Sequence, residues 1–503
     1  MIVADRTYQA FFTKSQPIVD YMVQMLSPQQ GDRILEPCAG DGVFIEAILS
    51  LAMNVAIDAY EFNPHSIKTL NNKFAFNPRV KVTQSDTLLD ADLSLGSIAG
   101  GRYDKIIANP PYGAWQDYEK RKLLKKLYPS QYVKETYSLF LQLGIALLKE
   151  KGRLVFIIPD TFLNLHLHKA LRKEILTKTK IREILLFPSS FFPGVSFGYA
   201  NLCIITLEKD LSEEKCLKNS FSVVSGFKQV EEFNRLDLIH LNKKIIDQRT
   251  IFGSVDHAFL IGNDEKLINF INSCDNRIGD MAKCVTGFYS GDDKEYLKVL
   301  SKDQRNGVKY DVVDKSKIAT DYNGLGEILL NGIKGKRCFV PIVKGGNTKY
   351  IKPDMWFMNW SEEAVKHYKT DKKARFQNSQ FYFKTGIGVP MISSSQITAA
   401  LIEGKLFDQS IVGVFPYDAK YNYFLLAFFN SPTCNKLIRI INPSTNNPAN
   451  YIKKIPFVEP GAEILLKVNG IVKKILIQIA TTGTYLPGKE SELNKLIEES
   501  QGF

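Results

Sequence analysis

Short apolar runs and amphipathic stretches alternate along the first 210 residues. Apolar, β-branched runs stand at 33–37 (RILEP), 55–62 (VAIDAYEF), 80–86 (VKVTQSD) and 103–110 (YDKIIANP). Three more follow at 153–159 (RLVFIIP), 181–188 (IREILLFP) and 199–209 (YANLCIITLEK). Segments with helical spacing separate most of them, such as 17–27 (PIVDYMVQMLS) and 137–150 (YSLFLQLGIALLKE). Strands without polar alternation are buried on both faces, and helices between them are crossovers. The pattern predicts an α/β fold with a doubly wound, mainly parallel sheet. Run 199–209 follows 181–188 with no helix between them, which predicts an antiparallel hairpin at the sheet edge.

The texture changes after residue 210. Residues 211–255 are charged and less patterned. Residues 256–460 carry shorter strand-like runs and dense turn signals, such as SGDD, KGGN and NPSTNNPAN, and predict a β-rich α+β domain. Residues 461–503 return to helical spacing. The expected division is a catalytic domain over 1–255 and a second domain, with C-terminal helices, over 256–503.

A chain of 503 residues with 45% hydrophobic content is long enough for two cores. No apolar run approaches a membrane span, and MIVADRTYQAFFTK lacks the cationic-then-apolar order of a signal peptide, so no membrane partner is expected. The seven cysteines form no CxxC pair, which argues against a disulfide framework or zinc site and predicts a reducing, cytoplasmic setting. His166 and His168 lack partner ligands in sequence, so no metal is expected. The net charge is +12. Residues 1–210 hold 25 Lys and Arg against 21 Asp and Glu, and the remainder holds 40 against 32. Such a balance suits a polyanion partner. The densest cationic runs are 119–127 (EKRKLLKKL) and 366–376 (KHYKTDKKARF), each of which also fits a plain solvated face.

The segment 34–49 (ILEPCAGDGVFIEAIL) predicts a strand, a glycine loop and a helix. Gly40 and Gly42 allow close approach of a ligand. The loop is neither GxGxxG nor a GK[ST] phosphate cradle, and it carries Glu36 and Asp41 instead. Acids beside such a loop suit a ligand with a cationic amine, such as S-adenosylmethionine. Glu61, ending the second strand, can accept from ribose hydroxyls, and Asp86, ending the third, from an adenine amino group. One such acid would read as a cap; three at the ends of three successive strands read as a site.

The fourth strand ends in Asn109-Pro110-Pro111-Tyr112. Two prolines stiffen the backbone and end the ladder. An exocyclic amine on a base is a poor nucleophile, because its lone pair is delocalised into the ring. Two acceptors held on its hydrogens favour the localised form, and the Asn109 side-chain oxygen and the Pro110 carbonyl are such a pair. The Tyr112 ring can stack on the base.

With these motifs, residues 9–210 resemble the gamma-class (TaqI-like) N6-adenine DNA methyltransferases of restriction-modification systems. The resemblance implies a Rossmann-like methyltransferase sheet. It implies an S-adenosyl-L-methionine site formed by Thr13, Glu36, Cys38, Ala39, Gly40, Glu61, Phe62, Asp86, Thr87 and Asn109. It implies a catalytic set of Asn109, Pro110, Pro111, Tyr112 and Phe192, with Phe192 stacking on the far face of a flipped adenine and Phe191 or Phe197 as alternatives. The chain departs from the family at Lys14, often Pro, and at Thr87, commonly aromatic. Segments 285–297, 339–351, 383–395 and 407–416 loosely resemble a target-recognition (DNA specificity) domain. The implied partner is double-stranded DNA, with room for a separately encoded restriction endonuclease. N4-cytosine methylation uses the same chemistry and stays open, as does a DNA-binding specificity subunit with a vestigial catalytic domain.

Overall fold

The computed structural model describes residues 15–503 apart from 52, 94–100, 113–116, 192–200, 262–263, 321, 394–395, 443 and 486. The chain divides into two compact units, Met1–Leu260 and Ile261–Phe503.

The first unit holds a nine-stranded sheet. Its strands are β1 (Arg33–Glu36), β2 (Ala56–Glu61), β3 (Val80–Gln84), β4 (Tyr103–Ala108), β5 (Leu148–Pro159), β6 (Thr179–Pro188), β7 (Asn201–Lys209), β8 (Ser220–Ser225) and β9 (Asn242–Asp247). Their order is β3-β2-β1-β4-β5-β7-β6-β8-β9. Strands β3, β2, β1, β4 and β5 pair in parallel, and β7 is antiparallel to both β5 and β6. The doubly wound α/β sheet expected from the apolar runs is the sheet observed. The order reverses between β1 and β4, at the switch point where ligands bind in such sheets.

The helices form where apolar spacing meets a start signal. Helix α1 (Gln16–Leu26) has Pro in its first turn and buries Ile18, Val19, Met22, Val23 and Leu26. Helix α2 (Val43–Leu49) follows the glycine loop. Helix α3 (Pro64–Phe74) is capped by Asn63, whose side-chain oxygen accepts from the His65 amide at 2.9 Å. Helix α4 (Tyr118–Leu127) is capped by Asp117, and helix α5 (Thr136–Leu147) is buried nearly all round.

Two expectations change. The β6–β7 hairpin is antiparallel, but β7 lies inside the sheet, between β5 and β6. Its residues Leu202–Leu207 are all buried, which suits an interior strand rather than an edge. The charged stretch after 210 supplies β8 and β9, and β9, NKKIID with alternating exposure, forms the edge.

The second unit holds two four-stranded sheets. One contains β10 (Ala282–Thr286), β14 (Gly386–Pro390), β15 (Ala400–Ile402) and β17 (Ile411–Pro416) in the order β10-β17-β14-β15. The other contains β11 (Leu297–Val299), β12 (Phe339–Val343), β13 (Trp356–Asn359) and β16 (Leu406–Phe407) in the order β11-β13-β12-β16. Aromatic rings fill its core: Phe288, Trp360, Tyr368 and Tyr382 pack together, and the buried Trp360 indole donates to the Leu329 carbonyl at 2.8 Å. The C-terminal helical spacing becomes helices Ala462–Thr482 and Glu490–Gln501. No helix among the described residues is long and apolar enough to cross a membrane.

Candidate active site

The glycine loop between β1 and α2 is built by positive φ angles at Gly40 (53°) and Gly42 (80°). A Cβ on Gly42 would stand 2.7 Å from Phe74 Cε2 and 2.8 Å from Leu70 Cδ2, so α3 packs onto the loop through this position. The loop is stapled to β2, because the Ala39 amide donates to the Tyr60 carbonyl at 2.9 Å.

The three acids converge on this loop but differ in state. Glu61 ends β2, and one oxygen accepts from the Gly40 amide at 2.7 Å. Its other oxygen accepts from the amides of Phe62 (2.8 Å) and Asn63 (2.7 Å). Glu36 ends β1 and is 2% exposed, with Oε2 buried and unpartnered. Burial first, and then the Glu61 charge, push its carboxyl well above the usual carboxylate range. A buried carboxylate oxygen without a donor beside a glycine loop fits a ligand carrying a cationic amine. Asp86, just past β3, accepts from the Lys120 ammonium at 2.5 Å.

Cys38 and Ala39 lie in the loop itself, and Ala39 is buried. Thr87 is turned inward: its hydroxyl donates to the Pro37 carbonyl at 2.5 Å, tying the β3 end to the glycine loop. Phe62 remains 43% exposed beside Asp86's partner, Lys120, whose ammonium stands 5.4 Å from the ring centroid. Asp41, the other loop acid, sits 3.5 Å from the Ser66 hydroxyl on α3.

The diproline corner lies against the loop. β1 and β4 are neighbours, with Leu35 opposite Ile106. Burial pushes the Cys38 thiol well above its ordinary value, with the charges of Glu61 and Glu36 adding to it and the Asn109 backbone acting in the opposite direction. The Thr136 hydroxyl, at the start of α5, donates to the Pro111 carbonyl at 2.6 Å and fixes the far side of the corner. Pro110 is buried, and among the described residues no donor takes its carbonyl. Tyr112 is 3% exposed. Its hydroxyl stands 2.6 Å from Asn109 Oδ1 and 2.9 Å from the Ile157 carbonyl, and its ring packs edge-on against Tyr137 (6.4 Å). Thr13, Phe192 and Phe197 lie outside the described residues. Phe191 stacks on Phe187 (6.0 Å) and meets Phe233 edge-on (6.4 Å), which commits it to an aromatic cluster.

Sequence reasoning missed Lys120 and Thr136. Lys120 stood inside a cationic run that gave no hint of its inward partner. Thr136 had one available signal, a hydroxyl residue at a helix start shortly after the diproline.

Residues 47–192 match the Eco57I restriction-modification methylase family. Among curated proteins, the chain is 27% identical over 235 residues to the type II methyltransferase M.AccI of Acinetobacter calcoaceticus. This match covers 45% of the chain and 42% of M.AccI. It is 31% identical over 194 residues to the type II methyltransferase M.HincII of Haemophilus influenzae, covering 37% of the chain and 35% of the relative. The chain thus spans less than half the length of these two relatives. The adenine-specific methyltransferase BrxX of Escherichia coli O9:H4 (strain HS) is 24% identical over 80% of the chain and 31% of its own length. The DrdV–DNA complex shares the fold, with a TM-score of 0.54 over 92% of the chain and 57% of DrdV, at 13% identity. The motif resemblance to restriction-modification adenine methyltransferases is borne out at this level, without its gamma-class subdivision.

Proposed function

We propose that the chain is a site-specific DNA adenine-N6 methyltransferase, the modification enzyme of a restriction-modification system, acting in the cytoplasm on double-stranded DNA with S-adenosyl-L-methionine. The observation that carries this reading is the Asn109–Pro110 corner at the end of β4, the strand paired in parallel with β1, whose own end carries the buried, unpartnered Glu36 and leads into the glycine loop. The family match and the adenine-specific relative support it.

When bound, the cofactor supplies an electrophilic methyl group on a sulfonium. Glu36 holds its cationic amine, Glu61 its ribose and Asp86 its adenine, with Cys38, Ala39 and Gly40 forming the floor. Thr13 belongs to the segment expected to close over it. The target adenine must leave the duplex to reach this site, at a cost of a few kcal/mol. Its amino group then donates to the Asn109 oxygen and the Pro110 carbonyl. Those two acceptors are preorganised by the prolines and by the Thr136 hydroxyl on Pro111.

Among the described residues, the Tyr112 hydroxyl, with its one proton, has two oxygens in reach. The Ile157 carbonyl can only accept. With that carbonyl taking the proton, the Asn109 carboxamide turns its NH2 to Tyr112 and its oxygen to the base. Tyr112 thus orients the carboxamide, and its ring, 3% exposed, has to be uncovered before it can stack on the adenine as expected. Phe191 is committed to Phe187 and Phe233, which favours Phe192 as the residue clamping the other face.

The second unit is assigned to target recognition, through segments 285–297, 339–351, 383–395 and 407–416, with the larger share of the positive excess. A cognate endonuclease is expected from a separate chain. The test is to digest DNA treated with protein and cofactor to nucleosides. N6-methyldeoxyadenosine at one sequence motif is expected. N4-methylcytosine would move the reading to that base, and no modified base in the presence of DNA binding would favour a specificity subunit.

A further inference from the structure

Asp86, the acid proposed above to hold the cofactor's adenine, is engaged by a side chain of the protein itself. Lys120 stands in the first turn of α4, whose cap, Asp117, accepts from the Lys120 amide at 2.6 Å. Lys122, Lys125 and Lys126 on the same helix are exposed. Lys120 points elsewhere. Its ammonium lies 2.5 Å from Asp86 Oδ2 and 5.4 Å from the centroid of the Phe62 ring. The two charged side chains are only 26% and 19% exposed.

Asp86 is the group assigned to the cofactor's adenine, and Phe62 belongs to the same expected cofactor set. The adenine amino group would donate to Asp86, and its ring would lie on Phe62. An ammonium supplies the same pair of interactions, a donor for the carboxylate and positive charge over a ring face. Both sets cannot be made at once on one ring face.

We propose that Lys120 is a built-in competitor of the cofactor, which must swing out of the adenine subsite before the cofactor binds. The proposal rests on the cofactor reading above. Its cost is the loss of a partly screened ion pair and a cation–ring contact, on the order of threefold to tenfold in affinity. The full-length chain is titrated calorimetrically with S-adenosylmethionine, as wild type, Lys120→Met and Lys120→Arg. Lys120→Met should bind about threefold to tenfold more tightly, and Lys120→Arg should stay near wild type. At roughly 0.5 M salt, where exposed charges are screened within a few ångström, the advantage of Lys120→Met should shrink. Lys120→Met binding no tighter than wild type overturns the proposal and leaves the cofactor reading standing. Absence of saturable binding to wild type overturns both.

Discussion

Glu36 gives a prediction with a worked sign and size. The carboxyl is 2% exposed, its Oε2 has no partner, and burial together with Glu61 raises its pKa well above 4.5. A raised carboxyl pKa contributes stability that is fully present below the unfolded value near 4.5 and is lost as pH rises through the folded pKa. The unliganded protein therefore forfeits stability on the alkaline side of 4.5. A cationic amine reverses the preference, because it needs the ionised form. Cofactor binding should release a proton and tighten as pH rises through the same window. Glu36→Gln keeps the shape and removes the charge. A charge-assisted hydrogen bond contributes roughly 1.5–3 kcal/mol, so the variant should bind S-adenosylmethionine about 10- to 150-fold more weakly. Calorimetry in two buffers of different ionisation enthalpy counts the proton. A variant that binds as tightly as wild type, or wild-type binding without proton release at any pH, refutes the argument.

The remaining predictions concern the scaffold and the clamp. Gly42→Ala places a Cβ against Phe74 and Leu70 at a φ of 80° and should cost about 1–3 kcal/mol; an unchanged denaturation midpoint contradicts it. His168 is fully buried, and burial with Arg172 nearby lowers its pKa to about 3. Its contribution is present above the unfolded value near 6.5 and is lost as pH falls towards 3, at up to roughly 1.4 kcal/mol per pH unit. His168→Gln should flatten that part of the stability profile, and an unaltered slope counts against the assignment. Phe192→Ala should abolish the fluorescence change of 2-aminopurine at the target position, and an unchanged signal moves the clamp to another ring.

The parts of the fold that were legible in sequence are those encoded locally. The interior strands β1, β2 and β4 to β7 announce themselves as apolar runs, because strands covered on both faces have few polar positions to blur them, whereas β3, VKVTQ at a sheet edge, is read from its β-branched residues. Strand β9 did not, since NKKIID only alternates half-buried and exposed side chains at a sheet edge. The place of β7 was misjudged because a missing helix reveals a hairpin but not what lies on its other side. At the site, the residue types of β1 to β4 ends were readable from spacing, whereas their partners were not. Lys120 reaches Asp86 across 34 positions, and Tyr112 reaches Ile157 across 45. Thr87 spends its hydroxyl on Pro37, 50 positions earlier, which no periodicity could foretell.

The central claim is that the Asn109 carboxamide and the Pro110 carbonyl activate an amine at the donor's methyl. The most direct measurement is the single-turnover methylation rate of Asn109→Ala on its target DNA, with cofactor and DNA affinities measured alongside. Removing one preorganised acceptor should slow transfer by about 100- to 1000-fold while both ligands still bind. Methylation at the wild-type rate by that variant would contradict the account.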